Sequence, residues 1–160
     1  MTKVRVHKSH VAKCQLETAV RLFLNGKDRS SVITLAGAAS GILDRLVQDS
    51  GKEPFVDYAC RVHRGLVGHT PKRQSYSHHI DKKLGVITHK HLSKDDSDTV
   101  ELDLDEMAFN ALARALSDYV KLYGDSELFV KAFYQWAWVN TDGRALMEKF
   151  KNVTESMRPR

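Results

Sequence analysis

Residues 31–43 read "SVITLAGAASGIL", and positions 32–43 carry no charged side chain. A run this apolar with no polar face predicts a helix buried on most of its sides. Asp28, Ser30 and Ser31 each have the chemistry of an N-cap for it. Its small residues, Ala36 to Gly41, let another helix backbone come close, at a cost of about 1 kcal/mol of helix propensity for each glycine. Two uses of that closeness are open. One is tight packing within the chain. The other is a homodimer seam through Ala36, Gly37, Ser40 and Gly41.

Helical periodicity continues on both sides. Upstream, Ala12, Leu16, Ala19, Val20 and Phe23 form one apolar stripe of a helix from Ser9 to Leu24, with Glu17 and Arg21 paired on its other side and Gly26 as the residue that ends it. Downstream, Pro54 suits the first turn of a third helix with the stripe Phe55, Tyr58, Ala59, Val62 and Leu66, closed by Gly65, Gly68 and Pro71. A fourth helix is expected over 72–91. On it Tyr76, Ile80, Leu84, Ile87 and His91 point inward, while His78, Lys82 and His89, with His79, Lys83 and Lys90 one row over, form a cationic stripe.

Residues 94–105 read as a connection, and seven acids fall within 95–106. Asp103 and Glu106 have the spacing of a capping box for a fifth helix. Its stripe is Ala108, Phe109, Leu112, Leu116, Tyr119, Val120 and Tyr123, and Gly124 ends it. A sixth helix starts at Asp125 or Ser126 and buries Leu128, Phe129, Ala132, Phe133 and Trp136, with Trp138 half-exposed. "NTDG" (140–143) precedes a short last helix over 144–152 that carries Leu146, Met147 and Phe150. The expected fold is therefore all-α, a single-domain bundle of six to seven helices across 1–160, with 1–8 and 153–160 as loose tails.

The net charge of +5 is unevenly spread. Residues 1–94 hold 17 Lys/Arg against 7 Asp/Glu, and 95–160 hold 8 against 13. Either the two halves neutralise each other or the basic half faces an acidic partner. Cys14 and Cys60 are too few for a disulfide framework or a zinc quartet, and both are read as small core residues. The basic N-terminus lacks the apolar core of a secretory signal, and no apolar run is read as spanning a bilayer, so a cytoplasmic setting and no membrane role are expected.

Three segments resemble a family of small bacterial helical proteins without an assigned activity: "QLETAVRLFL" (15–24), "SVITLAGAASGIL" (31–43), and Lys90-His91 followed by "VELD" (100–103). That family carries an asparagine before its Lys-His pair, and "GVITHKH" has none. More remotely, the layout resembles the HEPN superfamily, which includes metal-independent ribonucleases. That resemblance implies an arginine and a histidine a few residues apart beside a basic surface. Arg5/His10, Arg64/His69, Arg73/His78 and Arg73/His79 have the spacing, and only Arg73 with His78 or His79 lies on the cationic stripe.

The chemistry available is limited. No zinc signature, calcium loop or phosphate-cradling glycine loop is present, and neither cofactor nor metal is expected. The leading expectation is a non-enzymatic binding protein. Its basic face over 72–91, made of Arg73, His78, His79, Lys82, Lys83, His89 and Lys90, engages nucleic acid or an acidic protein. The alternatives are a HEPN-like metal-independent ribonuclease using Arg73 with His78 or His79, and a structural or antitoxin-like partner subunit.

Overall fold

The computed structural model describes residues 3–160. Seven α-helices run in the order α1 (Lys8–Leu24), α2 (Arg29–Asp49), α3 (Phe55–Val67), α4 (Arg73–Lys83), α5 (Leu104–Tyr123), α6 (Leu128–Asn140) and α7 (Gly143–Asn152). Among the described residues there is no β-strand, and the chain is an all-α bundle.

The core lies where α1, α2 and α5 meet, with α6 closing one side. Leu16 and Val20 of α1, Ile33 and Leu43 of α2, and Leu112 and Leu116 of α5 are all almost wholly buried. Phe23 anchors an aromatic group with Phe109, Phe133 and Trp136, and meets the Trp136 ring edge-on at 4.7 Å. The helix starts follow local chemistry. Asp28 accepts from the Ser31 N–H, Asp103 from Glu106 and Asp142 from Ala145, each satisfying a free amide of the first turn.

The charge-free helix packs inside its own chain. Ala36, Gly37 and Ser40 are buried, and Gly41 is exposed. Val86 seats so closely on Gly37 that a Cβ there would lie 2.5 Å from Val86 Cγ1. Three of the four residues of the expected seam are thus buried within the chain. By length and mean hydropathy alone α2 also meets the measure of a membrane span; Val32, Ile33, Ala36, Ala39 and Leu43 on it belong to the bundle core.

Several expectations need correction. Leu128 of α6 is 84% exposed, because α6 meets the bundle through Val130 together with Phe133 and Trp136. Leu66 is exposed, and α3 buries Val56 and Cys60. Cys14 is exposed, its thiol 3.5 Å from His10 Nε2. The segment after α7 is tied down. It forms a 3₁₀ turn over Glu155–Met157, Met157 covers Gly65, and Arg61 donates to the Ser156 and Arg158 carbonyls.

The largest correction concerns 72–91. α4 stops at Lys83, and Gly85 at φ +73° turns the chain. The Val86 N–H bonds the Asp81 carbonyl at 2.9 Å and the Gly85 N–H bonds the Lys82 carbonyl at 3.1 Å, the paired bonds of a Schellman ending. Residues 84–90 then form a separate turn docked by Val86 on α2.

Candidate binding surface

Residues 58–94 hold eight Lys/Arg and one acid, Asp81, together with six of the eight histidines. The fold decides which of these are free. Arg73 is not. Its Nε donates to Asp57 on α3 at 2.6 Å and its Nη2 to Asp44 on α2 at 2.7 Å, so it rivets α4 to the bundle. The two carboxylates raise its pKa against the opposing effect of burial. Asp81 is likewise taken, by the buried guanidinium of Arg114. Arg61 pairs with Glu53 through two bonds of 2.8 Å.

His89 is also committed. Its Nδ1 lies 2.7 Å from the Gly85 carbonyl and its Nε2 3.1 Å from the Ser30 hydroxyl. The ring pins the 84–90 turn to the start of α2 and is half-buried, so it does not extend a solvated stripe. His91, expected near the core, is exposed because the break at Gly85 swings the chain outward.

What remains exposed is His78, His79, Lys82, Lys83 and Lys90 of the expected set, joined by Arg64, His69 and Lys72. Among the described residues none of the lysines at 72, 82, 83 and 90, nor Arg64, is ion-paired. Those on α4 lie on two different faces. His78 and Lys82 line a groove of about 640 Å³, whose remaining wall comes from the 87–100 segment, including His91, Asp96 and Asp98. Tyr76, His79 and Lys83, at helical spacings of three and four, share the other face with the cap residue Lys72.

That second face joins α3 to make one side of an α3–α4 hairpin. Tyr76 stacks on His79 at 6.2 Å and meets His63 at 5.2 Å, and His63 meets His69 at 5.2 Å. Tyr76 was expected to point into the core; it is half-buried among histidine rings because α4 is short and leans on α3. This ring cluster draws on residues 63 to 79 across a turn, so helical periodicity within one element does not reveal it. Arg64, Leu66 and Val67, in the last turn of α3, are exposed.

Below the hairpin, Asp118 of α5 is 1% exposed and accepts from the Phe55 N–H at 2.8 Å. It supplies the cap that Pro54, without a polar side chain, leaves to another helix. Burial pushes its carboxyl up to about 6, opposed by the Phe55 hydrogen bond and reinforced by Asp44. Cys60 is buried beside Asp57, and burial followed by that carboxylate raises its thiol pKa, which disfavours the nucleophilic thiolate. Among the described residues no group of three His, Cys, Asp or Glu side chains has the arrangement to hold a metal ion.

The arrangement offers exposed cations, imidazoles and a few apolar side chains on a hairpin fixed from beneath by Arg73 and Asp118. Of the expected Arg73/His78 and Arg73/His79 pairs, Arg73 engages aspartates through Nε and Nη2, while His78 lines the groove and His79 stacks on Tyr76. No protein-family model matches the chain, and comparisons with curated proteins and with solved structures found no match.

Proposed function

We propose that this chain is a non-enzymatic helical binding protein whose α3–α4 hairpin engages an acidic partner. One observation carries the reading: among the described residues Arg64, Lys72, Lys82 and Lys83 are exposed and unpaired, although Asp95, Asp98 and Glu101 in the following segment are exposed and unpaired too. Cations left in water beside available carboxylates are free to meet an outside anion with little desolvation cost. The rigid footing of the hairpin supports the same reading, because Arg73 and Asp118 hold it without using the exposed groups.

The test is a salt titration of binding. Fluorescent poly-glutamate and a single-stranded oligonucleotide serve as probes at low and physiological ionic strength. Binding of at least one is expected, with affinity falling as salt rises because the contacts are screened. Absence of binding to both at low salt, or binding indifferent to salt, removes the proposal.

A further inference from the structure

We infer that the acidic partner of the hairpin face is the 95–103 connection of a second copy of this chain. The inference rests on the reading of that face as a cationic docking surface and names what docks there.

Two features favour a protein segment over a phosphodiester chain. Leu66 and Val67 are 72% and 57% exposed at the end of α3, and a partner with apolar side chains buries them while a sugar-phosphate backbone does not. On the far side of α4, Asp96 and Asp98 line the groove with His78 and Lys82, so a long polyanion crossing α4 runs into carboxylates.

The chain itself carries a matching segment. Residues 95–103, "DDSDTVELD", hold five acids. Asp103 is used as the α5 cap, and Asp96 accepts from the Ser93 N–H. Asp95, Asp98 and Glu101 are exposed and, among the described residues, unpaired. Val100, 60% exposed between them, is an apolar counterpart for Leu66 and Val67. The connection does not satisfy its own hairpin face. It lines the groove side of α4 with His78 and Lys82, while Tyr76 and His79 belong to the ring cluster with His63 of α3, and Lys72 and Lys83 are exposed. Two copies related by a twofold axis each give a connection and receive one, which uses both halves of the charge imbalance.

Sedimentation velocity of the full chain is expected to show a dimer at low salt that dissociates at high salt. Two sets of charge reversals then locate the contact: Lys72→Glu with Lys83→Glu, and Asp95→Lys with Asp98→Lys. All four residues are exposed. Each double variant alone is expected to be monomeric, since its own faces repel, and an equimolar mixture is expected to dimerise, since both contacts are then of opposite sign. Zero-length crosslinking of a mixture of isotope-labelled and unlabelled wild-type chain gives a readout that needs no variant. It is expected to join Lys72 or Lys83 of one copy to Asp95, Asp98 or Glu101 of the other.

A wild-type monomer at every salt that still binds poly-glutamate overturns the second copy as partner and leaves the docking surface standing. A dimer that survives both reversals, or crosslinks confined to other segments, overturns the inference by placing the contact elsewhere. A monomer that binds no polyanion removes both.

Discussion

Asp118 carries a cost in this core. A carboxyl whose native pKa is raised to about 6, against 3.8 for the free group, favours the folded state at low pH. That contribution is full below the ordinary aspartate range and is lost as pH rises through about 6. At neutral pH the ionised group therefore costs about 3 kcal/mol relative to its protonated form. Asp118→Asn keeps an oxygen to accept the Phe55 N–H and has no charge to bury. Urea unfolding from pH 4 to 7 is expected to show wild-type stability falling through this window and the variant falling less, with the variant more stable at pH 7. Parallel curves for the two proteins contradict the assignment. Gly37 offers a second residue-scale test. An added methyl meets three atoms of Val86 within 3.3 Å, and Val86 is 3% exposed, so it has little room to move. Gly37→Ala is expected to lose about 1–2 kcal/mol despite its gain in helix propensity. Gly37→Ala with Val86→Ala is expected to lose less than the two single changes summed, as measured by a double-mutant cycle.

At the scale of elements, the break after Lys83 decides where the cations go. Gly85 sits at φ +73°, and a Cβ there would approach Met107 Sδ at 2.9 Å. Gly85→Ala is expected to destabilise by about 1–2 kcal/mol and to raise amide exchange across 84–91; unchanged exchange in that segment counts against a turn held by this residue. His89→Ala is expected to raise exchange in the same segment while leaving α1 and α5 protected, since the ring joins Gly85 to Ser30. The sequence conveyed most of this architecture. The stripe of α1, that of α5 from Ala108 to Val120, the cap at Asp103 and the ending at Gly26 follow from spacing and side-chain chemistry, and the structure has them, while Tyr123 at the end of the α5 stripe is exposed. It misled over 72–91 because Ile80, Leu84, Ile87 and His91 keep a helical period across the turn. The usable signal was Gly85 followed by apolar Val86, the residue pair of a Schellman ending. Of the expected surface, His78, His79, Lys82, Lys83 and Lys90 are exposed as read. Arg73 and His89 are not free because their partners, Asp44, Asp57 and Ser30, lie on other helices or at their ends, where periodicity within one element carries no information.

For the whole molecule, the charge halves of the sequence become two neighbouring surfaces. The α3–α4 hairpin presents cations and histidine rings, and the 95–103 connection presents acids, yet among the described residues no ion pair joins them. The bundle of α1, α2, α5 and α6 supplies the stable frame, and Arg73, Arg114 and Asp118 fasten the hairpin to it without spending the exposed groups. Charge reversal tests this division most directly. Binding of poly-glutamate at low salt is measured for wild type, for Lys72→Glu with Lys83→Glu on the hairpin, and for Lys149→Glu with Lys151→Glu on exposed α7. A loss of tenfold or more is expected for the hairpin pair and a smaller change, by a wide margin, for the α7 pair of equal charge. Equal losses from both pairs would show that net charge alone governs binding and would contradict a docking surface on the hairpin.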